Sequence, residues 1–297
     1  MVERKKIIID TDNGDDIDDL IALYFAINMK NEFEIIGIIS SFLNAPLRVK
    51  QIEHVLKLYG ITNIPIFAGC RKPIKGIHGD DVNAIYCQYV DYLGKGVEQD
   101  PSLAIDFIIE SAKKYKNELY FLEIAPQTTL ATAILKDKLA LSEMHIVTMA
   151  GCFKPNYAEW NIECDYAASK IVLESGLDLT YVGHDITIQT TLNDPNIERL
   201  FLDEYKDERL NFLSISANKW RNFSKRPIVL HDILPLISMV DSNLCEFKDA
   251  RISFVSRDGH YYTEVDSSSE HLARIATSVN LPLLYEYVKR LMKGELK

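Results

Sequence analysis

The sequence predicts an α/β protein that folds as a single domain over residues 1–297, with a mostly parallel, doubly wound central sheet and a helix-rich C-terminal third. Apolar runs of strand length alternate with segments that carry apolar residues at helical spacing, which is typical of a parallel sheet with crossover helices. The hydrophobic fraction of 47% and the charged fraction of 26% are those of a globular protein with a sizeable core. Since no stretch has the composition of a linker, we expect one domain.

The first predicted strand ends in a dense run of acidic residues. Three consecutive isoleucines, residues 7–9, suit a strand that is buried on both faces, and six of the ten residues from 10 to 19 are aspartates. Gly14 supplies a turn, after which apolar residues recur at helical spacing. The acids therefore span a strand-to-helix junction, which is where ligands bind in open α/β sheets.

So many carboxylates at one junction require a counter-charge. A helix N-terminus stabilises each acid by only about 0.3 to 1 kcal/mol. A hard divalent cation is the better compensator, because Ca²⁺ takes about six to eight oxygen ligands and Mg²⁺ about six, and this segment offers only oxygen donors. An EF-hand is excluded because Gly14 falls at the fifth loop position and Ile21 stands where the bidentate glutamate belongs. The other interpretation is an acidic cap on a surface helix. It is disfavoured because such caps do not normally follow a strand of three isoleucines.

The later elements follow from the same patterns. Buried strands are predicted at residues 33–40, 64–68, 119–124, 144–149 and 179–182. Crossover helices are predicted between them at residues 45–59, 102–115, 128–136 and 166–174. Beyond about residue 195 we predict helices at 197–222 and 228–240, followed by a hairpin whose strands are 251–255 and 261–265.

Polar residues follow several of these strands, at the edge of the sheet where their carboxyl ends meet. Asn44 follows the strand at 33–40, and the segment AEWNIECD, with Glu159 and Asn161, follows the strand at 144–149. Such residues are candidates for a binding site. They also serve commonly as helix caps and turn residues, so both interpretations stay open at this point.

Two His-Asp pairs also require an explanation. His231 and Asp232 lie inside the apolar stretch IVLHDILPLI, where a polar pair is either a satisfied buried network or part of a site. His184 and Asp185 pose the same question at the end of a predicted strand, where a turn would satisfy them easily. We therefore rank the first pair above the second.

Composition limits the partners and the compartment. A net charge of −10 with scattered Lys and Arg argues against a nucleic acid or an anionic membrane as partner. Five cysteines without CxxC spacing indicate neither a disulfide framework nor a zinc site. No run of about 18 apolar residues and no signal-peptide pattern is present, so we expect a cytoplasmic protein.

Taken in order, these segments resemble the inosine-uridine preferring nucleoside hydrolase family over nearly the entire chain. IIIDTDNGDDIDDL is similar to the family's opening aspartate motif, and SSFLN to the segment that ends in a sugar-binding asparagine. IPIFAGCRKP and GIHGDD resemble the family's next loops, and FLEIAPQTTLA takes the place of PTGGLTNIA. MAGCFKPNYAEWNIECDYAA resembles the segment that contains AEFN, and LHDILPL resembles HDPLA.

The resemblance implies calcium-dependent hydrolysis of the N-glycosidic bond of ribonucleosides, with release of nucleobase and ribose. The implied ligands of Ca²⁺ are Asp12, Asp16, Asp19, Asp232 and the backbone carbonyl of Ile124, with Asp10 orienting them from behind. Whether Asp16 or Asp19 is the bidentate ligand stays open, because the aspartate motif is two residues longer than the family's common form. The resemblance also implies a homodimer or a homotetramer.

The same resemblance assigns roles around the substrate. Asp12 would be the general base that accepts a proton from the attacking water, and His231 would protonate or position the leaving base. The implied substrate ligands are Asp18, Asn44, Met149, Glu159, Asn161 and His231. Candidates to line the base are His78, Tyr86, Trp220 and His231.

The chain departs from the family's pattern in two further places. The loop before Glu159 is shorter, so Asn156 is the stand-in for the family's asparagine there. Thr129 stands where the family has another asparagine. These departures keep open a second function, a metal-dependent nucleoside or sugar binder with lost turnover.

A haloacid-dehalogenase-like phosphatase is a third candidate, since it also begins with a strand that ends in DxD. It is disfavoured because Asn13 and Gly14 follow the second aspartate, and because phosphatase chemistry does not need four more acids.

Overall fold

The computed structural model describes residues 4–78, 81–83, 85–155 and 157–296, and these contain nine strands in one sheet. The strands are β1 (Lys5–Thr11), β2 (Phe33–Ser40), β3 (Ile66–Ala68), β4 (Leu119–Ile124), β5 (His145–Thr148), β6 (Asp178–Tyr181), β7 (Cys245–Arg257), β8 (His260–Val265) and β9 (Leu272–Val279). Their order across the sheet is β3-β2-β1-β4-β5-β6-β9-β7-β8. Among the described strands, the pairs β7–β8 and β7–β9 are antiparallel and the other pairs are parallel, which confirms the prediction of a mostly parallel sheet.

Eleven α-helices surround this sheet within the described ranges. They are α1 (Asp18–Asn28), α2 (Ala45–Leu58), α3 (Ser102–Tyr115), α4 (Thr128–Asp137), α5 (Trp160–Cys164), α6 (Tyr166–Glu174), α7 (His184–Thr187), α8 (Pro195–Leu202), α9 (Glu208–Ser224), α10 (Ile233–Ser238) and α11 (Leu281–Met292).

Helices pack on both faces of the sheet, as the continuous apolar strands predict. Successive residues of a strand point to opposite faces. In β1, Ile7 and Ile9 belong to a core shared with α1, α9 and α10, whereas Ile8 belongs to a second core shared with α3 and α4. All three isoleucines are buried. The sheet is therefore doubly wound.

The direction of winding reverses at β1. From β1 the chain moves outward through β2 and β3, and it then crosses to β4 on the other side of β1 and continues through β5 and β6. In such sheets the carboxyl ends of the two strands that flank the reversal open a crevice. Here these ends are Thr11 and Ile124, which pair in register.

The C-terminal third differs from the prediction in detail. The helix predicted at 197–222 is two helices, α8 and α9, because the side chain of Asp207 accepts hydrogen bonds from Arg209 and Leu210 and starts a new helix. Only Ile233–Ser238 of the predicted segment 228–240 is an α-helix. The hairpin forms as predicted from β7 and β8, but β9 and α11 were not predicted.

Among the described residues, no helix combines the length and the apolarity that a membrane crossing requires.

Candidate active site

The aspartate-rich loop between β1 and α1 is held by hydrogen bonds between its own residues. The hydroxyl of Thr11 donates a hydrogen bond of 2.5 Å to Oδ1 of Asp19, and the backbone N–H of Asp12 donates to the same oxygen at 3.2 Å. Gly14 has φ of +119°, and a Cβ there would lie 3.2 Å from the ring of Tyr86. Glycine is favoured at this turn because a larger residue would be strained at this φ, and the ring of Tyr86 would also have to shift slightly.

Acids from two distant segments of the chain meet at this loop. One carboxylate oxygen from each of Asp18, Asp19 and Asp232 lies within 4.8 Å of the others, and all three side chains are buried. Asp232 reaches the group because it directly precedes α10. Asp12 and Asp16 are partly exposed and lie outside this group, but their charges raise the pKa of Asp232. The three-residue group thus contains two predicted metal ligands and one predicted sugar ligand.

The electrostatics of the group favour a bound cation. Burial, and then the charges of neighbouring acids, raise the pKa values of Asp18, Asp19 and Asp232 well above the ordinary value. Burial also raises the pKa of Asp12 to about 6. A divalent cation among these oxygens would reverse the shifts, because an opposite charge favours the ionised form. The donors are all oxygens, as calcium prefers, so the residues present fit such an ion.

A second pair of buried carboxyl groups lies behind the loop. Asp10 and Glu123 are register partners on β1 and β4, and both are completely buried. Oδ1 of Asp10 accepts a hydrogen bond of 2.6 Å from Ser41, whose hydroxyl is 2.7 Å from that of Thr129. Oδ2 of Asp10 and Oε2 of Glu123 have no hydrogen-bond partner among the described residues. Sequence reasoning missed Glu123, although a glutamate inside the apolar run LYFLEI was a signal.

A buried guanidinium group flanks the acids. Arg48 donates to the carbonyls of Asn13 at 2.8 Å and Phe42 at 3.2 Å, and it forms a salt bridge of 3.0 Å with Asp15. Its guanidinium also stacks 3.7 Å above the ring of Tyr86. Its charge opposes the rise in the pKa of neighbouring acids. In the sequence, the indication that Arg48 is buried was its position among the apolar residues of α2.

The loop after β2 positions Asn44 through a strained backbone. Phe42 and Leu43 have φ of +67° and +47°, which non-glycine residues rarely adopt. Backbone hydrogen bonds of 2.8 and 2.7 Å from these residues to the carbonyls of Cys70 and Arg71 hold the conformation. The backbone N–H of Asn44 donates to the hydroxyl of Tyr86 at 2.6 Å. Strain held by the surroundings is often found at functional sites.

Three predicted substrate ligands lie together after β5. The carboxylate of Glu159 caps α5 by accepting hydrogen bonds from the backbone N–H groups of Asn161 at 2.9 Å and Ile162 at 3.1 Å. It also accepts one from Gly151 at 3.0 Å. Burial raises its pKa to about 7. The amide of Asn161 donates to the carbonyl of Met149 at 3.0 Å, so Met149, Glu159 and Asn161 form one hydrogen-bonded loop. Asn156 lies outside the described residues.

A row of aromatic rings lies beside Asp232. The ring of Tyr157 stacks on His184 with centroids 3.9 Å apart, and His184 stacks on His231 at 5.4 Å. Nδ1 of His231 is 2.7 Å from the hydroxyl of Thr187. Burial, and then His184, lower the pKa of His231 to about 3, so the ring is neutral at neutral pH. Sequence reasoning noted His184 but missed Thr187 and Tyr157.

The other candidates to line the base are placed differently. Trp220 belongs to α9 and is buried in the core, and the ring of Tyr86 is packed on Arg48. The ring of His78 stacks on that of Trp160, with centroids 4.2 Å apart, and Trp160 is 54% exposed. Trp220 is therefore a core residue, whereas His78 lies beside an exposed aromatic ring.

Similarity to known proteins agrees with this geometry. The chain is 30% identical to uridine nucleosidase 1 of Arabidopsis thaliana over 266 residues, which cover 83% of this chain and 77% of the relative. It is 28% identical to the inosine-uridine preferring nucleoside hydrolase of Crithidia fasciculata over 211 residues, covering 66% of this chain and 65% of the relative.

Solved structures share the fold. The plant nucleoside hydrolase PpNRh1 superimposes with a TM-score of 0.79 at 24% identity, over 98% of this chain and 99% of that chain. The purine-preferring ribonucleoside hydrolase from Gardnerella vaginalis gives 0.78 at 23% identity, over 99% and 100%.

The sequence model of the inosine-uridine preferring nucleoside hydrolases matches residues 7–286, which is nearly the whole chain. The chain therefore belongs to the inosine-uridine preferring nucleoside hydrolase family and is an N-ribohydrolase, an enzyme that acts on N-glycosyl bonds.

Proposed function

We propose that this enzyme depends on Ca²⁺ and hydrolyses ribonucleosides to nucleobase and ribose. The observation that carries the proposal is the meeting of Asp18 and Asp19, from the first loop, with Asp232, from a late segment. Asp12, Asp19, Asp232 and the carbonyl of Ile124 are the proposed ligands, with Asp16 at the edge of the site. When bound, the ion supplies a Lewis acid for the ribose diol and for the attacking water.

The side chains have separate tasks in this proposal. Asp12 accepts the proton of the water, a role that suits it because it is partly exposed while Asp19 and Asp232 are buried. Asp10 and its hydrogen bond to Ser41 keep the loop in place. The negative charge of the group favours the oxocarbenium-like transition state of the sugar.

The proposed sugar ligands come from three segments of the chain. Asp18 and Asn44 hydrogen-bond the sugar, and the strained loop after β2 fixes the backbone of Asn44. Glu159 and Asn161, from the segment after β5, hydrogen-bond the ribose hydroxyls, and Met149 lies near the sugar. His231 positions the leaving base or gives it a proton.

The substrate class is proposed as ribonucleosides in general. The names of the relatives include uridine nucleosidases and purine-preferring hydrolases, which points to both kinds of base. We also propose a homodimer or homotetramer, which light scattering of the purified protein tests. A cytoplasmic location is supported by the five cysteines, all of which are free thiols.

The test is release of ribose from uridine and inosine by the purified protein. We expect activity with Ca²⁺, loss of activity with a chelator, and recovery when Ca²⁺ is returned. Asp12→Ala and Asp232→Ala should abolish turnover while the proteins remain folded by circular dichroism. Asp106→Ala is the matched control, because Asp106 is an exposed aspartate on α3. Parent-level activity in the two site variants would refute the assigned roles.

A binder without turnover gives a different result in the same experiment. Nucleosides would then raise the melting temperature in the presence of Ca²⁺ without release of ribose. The replacement at Thr129 and the short loop before Glu159 are the features that make this outcome worth measuring.

A further inference from the structure

His184 is a histidine that the proposed mechanism leaves unused. His184 begins α7 directly after β6, at the carboxyl edge of the sheet where the acids lie. Its backbone N–H donates a hydrogen bond of 2.7 Å to the carbonyl of Gly151. Its imidazole stacks on two other rings, that of Tyr157 and that of His231. The ring is therefore held in place without using its nitrogens.

The row of rings has polar atoms at its edge, the two nitrogens of His184 and the hydroxyl of Tyr157. Neither nitrogen of the His184 imidazole, nor the hydroxyl of Tyr157, forms a hydrogen bond with any residue that the structure describes. The side chain of His184 is half-buried, and burial lowers its pKa, so the ring is neutral at neutral pH. A neutral imidazole has one N–H donor and one acceptor. This donor is available to a ligand.

His231 is the ring next to His184 in this row. The hydroxyl of Thr187 is 2.7 Å from Nδ1 of His231 and also donates to the carbonyl of His184 at 3.4 Å. A hydroxyl has one hydrogen, so when it points to the carbonyl, Nδ1 of His231 is the donor and its Nε2 is an acceptor. In this tautomer Nε2 of His231 carries no hydrogen, and His184 is the neighbouring ring that can donate one to a leaving base.

We propose that His184 is a second residue of the base subsite, and that its ring N–H donates a hydrogen bond to the nucleobase as it departs. This inference rests on the proposed function. The bond from C1′ to the base nitrogen breaks and its electron pair stays on the base, while the oxygen of water bonds to C1′ and one water proton finally reaches the base. The N–H of His184 stabilises the negative charge that develops on the base before that proton arrives.

The test uses two kinds of leaving group and a variant that keeps the stack. His184→Phe retains an aromatic ring between Tyr157 and His231 but removes the donor. We expect kcat for uridine and inosine to fall on the order of 100-fold with little change in KM, as for loss of one donor to a developing anion. Hydrolysis of 4-nitrophenyl β-D-ribofuranoside should stay within about threefold of the parent, because nitrophenolate departs without help.

Two further variants separate chemistry from packing. His184→Gln restores an N–H donor and should recover part of the lost kcat. His54→Phe is the matched control, since His54 also packs against aromatic rings, those of Tyr92 and Phe212, but lies on α2. It should behave as the parent on every substrate.

The outcomes distinguish this inference from the function on which it rests. Parent-level turnover of nucleosides by His184→Phe, in an active enzyme, overturns the inference alone. Equal losses on nucleosides and on the nitrophenyl riboside also overturn it, because they indicate general damage to the site. A parent protein that cleaves neither class of riboside overturns both the proposed function and the inference.

Discussion

Glu159 shows how a single buried acid couples the site to pH. Its two carboxylate oxygens accept three backbone hydrogen bonds, yet burial is the larger influence and raises its pKa from 4.5 to about 7. The folded protein therefore keeps this proton in a range where the unfolded chain has released it. The free energy of unfolding consequently falls as the pH rises from about 4.5 to 7, because the folded state binds more protons there.

We predict that Glu159→Gln weakens this dependence. The amide does not titrate, so the decrease in melting temperature between pH 5 and pH 7 should be smaller than in the parent. Thermal denaturation in chelator measures both proteins without the influence of metal. Asp106→Asn, which changes an exposed acid, should keep the slope of the parent. Parallel curves for parent and Glu159→Gln would contradict the prediction.

At the residue scale, the sequence was informative wherever a charged residue followed or interrupted an apolar run. Acids directly after a triple isoleucine, and Asp232 inside an apolar stretch, indicated a site before any geometry was available. Arg48 and Glu123 also break apolar patterns. They were missed because one sequence does not show which face of a helix or strand meets the acids.

At the scale of elements, one buried carboxylate joins three segments. Asp165 accepts hydrogen bonds from Ile74 at 2.6 Å, Lys75 at 3.0 Å and the hydroxyl of Thr128 at 2.7 Å, and it also caps α6 through Ala168 at 3.1 Å. The start of α4, the start of α6 and the loop after β3 are thereby held together beside the site.

Asp165→Ala should destabilise the protein strongly, since it leaves several buried donors without partners. We expect the free energy of unfolding to fall by about 3 kcal/mol or more. Asp194→Ala is the matched control, because Asp194 caps α8 in the same manner but is exposed, and its loss should cost about 1 kcal/mol. Urea denaturation of both variants measures the difference. Equal costs would show that Asp165 acts only as a cap.

The elements also show where prediction from sequence ends. Residues 33–40 and 119–124 were predicted to the residue because turn or polar residues bound each apolar run. The break between α8 and α9 depends on hydrogen bonds of Asp207, which the apolar spacing does not reveal. β9 was missed because LARIATSV has no continuous apolar run and is stabilised by pairing with β6 and β7.

At the scale of the whole molecule, the net negative charge is linked to the effect of a bound cation on stability. The net charge of −10 includes the acids that crowd the first loop, and their repulsion opposes folding when no cation is present. A ligand that binds only the folded protein stabilises it in proportion to the logarithm of its concentration. Calcium should therefore act on global stability as well as on activity.

We predict that Ca²⁺ at 100 times its dissociation constant raises the free energy of unfolding by about 2.7 kcal/mol. The variants Asp19→Asn and Asp232→Asn should lose this stabilisation, whereas Asp106→Asn should keep it. Chemical denaturation with Ca²⁺ and with chelator measures the effect. The absence of any difference between the two conditions in the parent would contradict a calcium site in the fold.

The position of β9 has a consequence for synthesis of the protein. β7 and β8 leave the ribosome before β9, the strand that joins them to β6. The completed hairpin therefore cannot pair with the sheet until residues 272–279 have been made. Until then the edge of β6 presents unpaired N–H and C=O groups, the kind of edge on which chains aggregate. Nascent chains of this protein should therefore rely on chaperones until residues 272–279 have been made.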